Sequence, residues 1–265
     1  MTRSLLSLLL ALPLALAVAC GGDGGGTTDT GINDAVVTDT PEDVPATDTT
    51  PDVATDEGPV PIDWDAFFAP REWTDDGKKR VVILHTNDMH SFVSGLGPLA
   101  DYSPDWLNAD GTVGGFARLA SLIERERRDP RPGASVLTVD AGDFTFGTAF
   151  AYLARTVGLE LKLMEAMGYD GATLGNHEMD WSPAGTAQVV DNGLAADSHL
   201  KILSSNLVFS DEDAADDDLA ALMGTKILPY RVITMDNGIK VGLFGLLGTQ
   251  ALTLAPHAEP VKVSK

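Results

Sequence analysis

Three polar clusters contain residue types that hold metal ions: residues 85–90 (His-Thr-Asn-Asp-Met-His), 140–143 (Asp-Ala-Gly-Asp) and 175–180 (Gly-Asn-His-Glu-Met-Asp). Asp88 and His90 are two residues apart, so their side chains point the same way if the backbone is extended. A carboxylate beside an imidazole suits a transition metal such as zinc, manganese or iron. The first cluster therefore predicts a metal site.

The other two clusters add ligands and a residue that can touch substrate. Asp143 follows Gly142, where the missing Cβ permits a sharp turn and a close approach to metal ions. A carboxylate has two oxygens, so it can bridge two cations. Asn176 offers a neutral carbonyl oxygen, whereas the adjacent His177 points elsewhere and is predicted to reach the substrate. Glu178 is predicted to be a structural hydrogen-bond acceptor rather than a ligand.

Each of these residues also has a simpler interpretation when it is taken alone. Asp88 could cap a helix, His90 could lie at the surface, and Asn176 could occupy a turn. Three such clusters in one chain favour a metal site over three unrelated coincidences.

Each cluster follows an apolar run that predicts a β-strand, at residues 81–84, 135–139 and 172–174, and the first of these strands is predicted to be buried. Helices are predicted at 116–128 and 159–167, and Gly168 closes the second. Strands separated by helices are typical of βαβ units in a layered α/β fold. Ligands of open α/β sheets bind beyond the carboxyl ends of the strands, so the three clusters can converge.

The rest of the chain adds further strands and one acidic segment. Residues 211–218 are rich in Asp and Glu and are predicted to form a solvated surface loop. Additional strands are predicted at 202–203, 230–233 and 241–247.

The acidic composition limits the partners of this protein. The 265 residues carry a formal net charge of −21. This excludes nucleic-acid polymers, because phosphate backbones are bound by Lys and Arg. A small phosphate substrate stays compatible with this charge, because bound cations dominate the local field of such a site.

The N-terminus resembles a bacterial lipoprotein signal peptide. Residues 1–20 begin with the positive Arg3, continue as an apolar run and end at Cys20, the only cysteine. An ordinary secretory signal with a stray cysteine is the alternative. The lipoprotein interpretation predicts a cell-envelope protein, lipid-anchored through Cys20 to the periplasmic or extracellular face of a membrane. Residues 21–62, which are rich in Thr, Asp and Pro and lack Lys, Arg and aromatic residues, predict a disordered acidic stalk.

The clusters occur in the order, and with the residue types, that are typical of a known family. Asp88-x-His90, the pair Gly142-Asp143 and the run 175–178 are similar to the first three motifs of the calcineurin-like metallophosphoesterases. The resemblance extends over residues 81–247. It is closest to the bacterial 5'-nucleotidase and 2',3'-cyclic-nucleotide phosphodiesterase group, through the segments 84–88, 114–119, 140–143, 164–170 and 174–178.

This resemblance implies a layered αββα sandwich over residues 63–265 that hydrolyses nucleotide phosphoesters. It implies two divalent ions, which could be zinc, manganese, iron, cobalt or calcium. The residues it assigns to the metals are Asp88 and His90 for the first, Asn176 for the second and Asp143 as a bridge. His177 would stabilise the transition state or protonate the leaving oxygen, and Asp180 would orient its ring. A water between the two metals would attack phosphorus in line.

The sequence departs from the family pattern near its end. Family members carry a further histidine and a Gly-His-x-His motif, and this sequence reaches Lys265 with neither. The predicted sandwich is therefore incomplete at its C-terminus. Two interpretations stay open, a piece of a longer hydrolase or a short, catalytically inactive surface binding module. These motifs are compatible with a nucleoside monophosphate, a cyclic nucleotide or a nucleotide sugar as the phosphoester.

Overall fold

A parallel sheet forms the centre of the computed structural model, which describes residues 63–95 and 113–264. The predicted signal peptide, its Cys20 and the predicted stalk lie outside the described residues. The strands are β1 (Arg80–Thr86), β2 (Ala134–Asp140), β3 (Gly171–Thr173), β4 (Ile202–Leu203), β5 (Leu207–Val208), β6 (Ile227–Leu228), β7 (Tyr230–Thr234), β8 (Lys240–Phe244) and β9 (Lys262–Val263). The sheet has the order β1-β2-β3-β4-β6, and all of its pairs are parallel.

Helices connect these strands, as the alternation of strand and helix patterns predicts. The helices are α1 (Trp64–Phe68), α2 (Phe116–Arg128), α3 (Ala151–Val157), α4 (Leu159–Met167), α5 (Asn176–Met179), α6 (Ser182–Gly193) and α7 (Asp217–Ala220). The bounds predicted for α2 and α4 are confirmed. Gly168 ends α4 in the left-handed conformation that residues with a Cβ avoid, and its N–H donates to Glu165 O and Met164 O.

The two faces of the sheet pack against different layers. Ala172 and Ile202 belong to the core beneath the helices, together with Leu161 and Met164 of α4. Side chains alternate along a strand, so Leu203 lies on the opposite face. A Cβ on Gly171 would lie 3.1 Å from Leu203 and 3.7 Å from Leu243, so this face of the sheet lies against the antiparallel hairpin of β7 and β8. Helices, parallel sheet and hairpin thus follow the layer order of the predicted α/β sandwich.

The tip of this hairpin is fixed to the start of the parallel sheet. The Asn237 side-chain amide donates to Arg80 O at 2.6 Å and to Gly133 O at 3.0 Å, and its N–H donates to Ser135 Oγ. The outer face of the hairpin is apolar but exposed, since Tyr230 and Phe244, which are paired across the strands, are each 66% exposed.

Two local expectations are corrected by the structure. Strand β1 was predicted to be buried, but it lies at the edge of the sheet, and Ile83 is 60% exposed. The acidic segment 211–218 is not a loop throughout, because it contains a 3-10 turn and the start of α7. Asp216 within it is fully buried and accepts a hydrogen bond from Ser210 N at 3.0 Å.

Within the residues that the structure describes, none of the helices has both the length and the apolar character needed to span a membrane.

Candidate metal centre

The three polar clusters meet beyond the carboxyl ends of β1, β2 and β3. Parallel pairing places Thr86, at the end of β1, opposite Asp140, at the end of β2. The loops that follow stay paired, because Asp88 N–H donates to Gly142 O at 3.0 Å and His90 N–H donates to Asp143 O at 3.0 Å. Backbone pairing therefore continues from the sheet into the loops, and it fixes the backbone positions of Asp88, His90 and Asp143.

Three half-buried side chains converge at this edge of the sheet. One possible ligand atom from each of His90, Asp143 and His177 lies within 4.8 Å of the other two. Asp88 Oδ1 lies 3.5 Å from His90 Nε2, which brings a further carboxylate to the group. Imidazole nitrogens and carboxylate oxygens are common ligands of zinc and related metals. The residues present therefore fit a divalent cation.

The backbone around this group is strained. Asp88, His90, Asp143 and Phe146 all have positive φ, at 52°, 46°, 55° and 69°. The extended backbone predicted between residues 88 and 90 is wrong: a left-handed turn, and not strand alternation, brings the two side chains together. Such conformations cost about 1–3 kcal/mol each and persist where the surroundings over-determine them, which is common at functional sites.

Two glycines allow the loops to approach each other. A Cβ on Gly142, whose φ is 100°, would lie 2.6 Å from Gly175 N. A Cβ on Gly175 would lie 2.0 Å from Asp143 Oδ1. The sharp turn predicted at Gly142 is thus present, and the loop after β3 is pressed against the Asp143 carboxylate.

Glu178 ties the second and third clusters together. Its buried carboxylate accepts hydrogen bonds from Asp143 N at 2.9 Å and from Gly175 N at 2.7 Å, and Thr145 donates through both its N and its Oγ1 at 3.0 Å. Burial raises the pKa of Glu178, and these donors oppose the rise. The side chain is saturated as an acceptor, in agreement with the structural function predicted for it.

His177 is held on several sides. Its Nδ1 lies 2.8 Å from Asp180 Oδ2, the contact that the family resemblance implies, and its N–H donates to Asp143 Oδ1 at 2.9 Å. Its ring packs edge-on against the His90 ring, with centroids 4.9 Å apart, and lies tilted against the Phe146 ring at 5.9 Å. With Nδ1 engaged by Asp180, Nε2 is the ring nitrogen left for a metal or a substrate. The sequence predicts only a contact between His177 and the substrate, whereas its position in the structure also allows it to bind a metal.

Asn176 has fewer contacts than the other predicted site residues. It is the first residue of α5, directly after Gly175, and is half-buried. Within the described residues, its side-chain amide makes no hydrogen bond. Its predicted function as a ligand of the second metal therefore stays a prediction.

A second carboxylate behind the site was missed by the sequence argument. Asp140 is buried and accepts hydrogen bonds from Thr86 Oγ1 at 2.6 Å and from Gly142 N at 2.9 Å. Tyr169 Oη lies 2.9 Å from Thr86 Oγ1 and extends this chain of hydrogen bonds. Burial raises the pKa of Asp140 to about 7, and the negative charges of Glu178 and Asp88 add to the rise. The pairing of β1 with β2 places Asp140 opposite Thr86, and this register is the signal that could have identified Asp140.

The known proteins that are similar to this chain include 5'-nucleotidases. No family model matches the chain. The 5'-nucleotidase of Bos taurus is 35% identical over 179 residues, which are 67% of this chain and 27% of that protein. The chain spans about a quarter of the length of the curated relatives it matches.

Solved structures agree with these relatives. The 5'-nucleotidase precursor from Thermus thermophilus has a TM-score of 0.53 and 25% identity, over 69% of this chain and 31% of that one. The calcineurin-like phosphoesterase YfkN from Bacillus subtilis has a TM-score of 0.45 and 25% identity, over 68% of this chain and 53% of that one. The chain is therefore homologous to the N-terminal part of the 5'-nucleotidases, and it shares the mixed α/β fold of the Thermus thermophilus 5'-nucleotidase precursor over the matched residues.

Proposed function

We propose that this chain supplies metal- and phosphate-binding residues of a 5'-nucleotidase-type hydrolase, which cleaves nucleotide phosphoesters with two divalent cations. The observation that carries this proposal is the convergence of His90, Asp143 and His177 within 4.8 Å, beside the His177–Asp180 pair. Asp88 and Asn176 complete the proposed ligand set. The alternative, an inactive binding module of the same ancestry, would keep the cation site without turnover.

The charges around the site support cation binding. Asp88, Asp140, Asp143 and Glu178 all lie at this edge of the sheet, and none of them pairs with a Lys or Arg among the described residues. Carboxylates held this close either take up protons or bind cations. Without cations the site would repel a phosphate, so the proposed substrate can bind only after metal has bound.

The side chains present match the steps of phosphoester hydrolysis. Divalent cations bound here would supply Lewis acidity and an acidified water as nucleophile. Asp143 has two carboxylate oxygens, one of which already positions His177 through its backbone N–H. His177, with Nδ1 held by Asp180, can give a proton from Nε2 to the leaving oxygen. General acid catalysis of this kind contributes about 10²- to 10⁴-fold to a rate.

The test is cation binding and phosphate release by the purified full chain. We expect titration calorimetry to show binding of Mn²⁺ or Zn²⁺, because the donor set fits these ions. We expect only slow release of phosphate from adenosine monophosphate, because the donors among the described residues are few for two cations. Release should stop when a chelator is added. Cation binding without any release would favour the binding module, and a chain that binds no cation would refute both interpretations.

Location is the second part of the proposal, and it rests on the sequence of residues 1–20. We expect the protein to fractionate with membranes through a lipid on Cys20, and the variant Cys20→Ser to move to the soluble fraction, because no other cysteine can be acylated. The measurement is membrane fractionation with fatty-acid labelling, and Thr27→Ser serves as a matched control. A Cys20→Ser protein that still partitions fully with membranes would show that the anchor is something else.

A further inference from the structure

Glu160 is a buried carboxylate that the site described above does not use. It lies in the first turn of α4 and is fully buried. Its Oε1 accepts a hydrogen bond from Ser91 Oγ at 2.6 Å, whereas Oε2 has no hydrogen-bond partner among the described residues. A buried acid with one unpartnered oxygen is unfavourable for folding, so its presence calls for a physical reason.

Ser91 connects this acid to the metal centre. It directly follows His90, is fully buried and, like His90, has a left-handed backbone, with a φ of 53°. Each of its polar groups is engaged: its N–H donates to Phe144 O at 3.0 Å, and its carbonyl accepts from Thr148 Oγ1 at 2.5 Å. The bond from its Oγ to Glu160 is the side-chain contact that links this turn to helix α4.

His90 is confined from the other side as well. Its N–H donates to Asp143 O, and a Cβ on Gly147 would lie only 2.6 Å from His90 O. The peptide that joins His90 to Ser91 is therefore packed against the loop that contains Gly147, and Ser91 itself is tied to Glu160. Two consecutive left-handed residues persist only when contacts of this kind over-determine them.

We propose that Glu160 is a positioning residue for His90: through Ser91 it holds the left-handed turn that places the imidazole beside Asp143 and His177. A carboxylate suits this task because it forms a short, strong bond with a hydroxyl donor. Its location in the first turn of a helix also favours a negative charge. The importance of this turn for metal binding rests on the proposed function, whereas the effect of Glu160 on the position of His90 does not.

The experiment follows the histidine rings of the full chain by NMR, in the presence of a chelator so that no metal is needed. In Glu160→Ala, the ring resonances of His90 should shift, while those of His257, which is exposed, should not. Glu160→Gln keeps an oxygen that can accept from Ser91, so its spectrum should resemble that of the parent. Ser91→Ala removes the same hydrogen bond and should shift His90 even if Glu160→Ala fails to fold.

Asp216→Asn is the matched control. Asp216 is equally buried and also has one oxygen without a partner among the described residues, but it lies beside α7. We expect it to leave the His90 resonances in place even if it destabilises the protein. Affinity for Mn²⁺ provides a second readout, which should fall about 10-fold or more in Glu160→Ala, as is usual when the support of a ligand is lost.

The outcomes separate this inference from the proposed function. If the parent binds no cation but His90 shifts in Glu160→Ala and Ser91→Ala, then the proposed function fails and the positioning inference stands. If the parent binds cations and His90 does not move in either variant, the inference is overturned. It is also overturned if Asp216→Asn shifts His90 as much, because general destabilisation would then explain the effect.

Discussion

Replacing Asp143 by asparagine is expected to weaken cation binding about 100-fold or more and to remove most phosphate release. Asp143 is the carboxylate among the three side chains whose ligand atoms converge within 4.8 Å. Asparagine has nearly the same shape, and its oxygen can still accept from His177 N, so the loop geometry should be kept. What disappears is the negative charge and the second carboxylate oxygen.

Calorimetric titration with Mn²⁺ and phosphate release from adenosine monophosphate both measure this effect. Asp191→Asn is a suitable control, because Asp191 is an exposed acid on α6 that pairs with Lys226. It removes the same charge away from the site and should change neither quantity more than about twofold. An Asp143→Asn protein with parental affinity would show that the converging side chains do not form the cation site.

His177→Asn is expected to lower turnover by about 10²- to 10⁴-fold while the bound metal stays near the parental level. The reason is that Asp180 engages Nδ1 and leaves Nε2 available for the proposed proton transfer to the leaving oxygen. Asp180→Asn should cause a smaller loss of the same kind, because the ring would keep its place and lose the partner that orients it. Metal analysis and turnover must be measured on the same samples.

The competing result is equally informative. The position of His177 among the converging donors permits it to be a ligand. If His177→Asn loses metal as Asp143→Asn does, the assignment as a proton donor is wrong. His199→Asn provides the matched control, because His199 also pairs with an aspartate, Asp170 at 2.8 Å, but its partner precedes β3 and lies at the opposite end of the strand.

Local sequence was sufficient for the elements that frame the site. The helix at Phe116–Arg128 and the end of α4 at Gly168 follow from apolar spacing and from a glycine that accepts a left-handed backbone. The convergence of the three clusters also follows from sequence, because each cluster comes directly after a strand and parallel strands place their carboxyl ends at one edge. The residue types and the succession of strands are both readable along the chain.

Sequence reasoning failed where a conformation depends on distant contacts. The turn at Asp88 and His90 is left-handed because bonds to the loop after β2 hold it there, and an isolated segment would not adopt it. The exposure of Ile83 follows from the position of β1 at the sheet edge, which is a property of the whole sheet.

What the sequence by itself determined is which side chains could bind a metal and that strand ends would bring them to one edge. The tertiary structure decided which atoms meet there: it placed His177 among the donors, Asp140 behind them and Glu160 under the turn that carries His90. Glu160 and Ser91 are 69 positions apart, and their hydrogen bond exists only because α4 packs beneath that turn. Periodicity along a chain reports the face that a residue occupies, whereas a hydrogen bond of 2.6 Å depends on how separate elements pack.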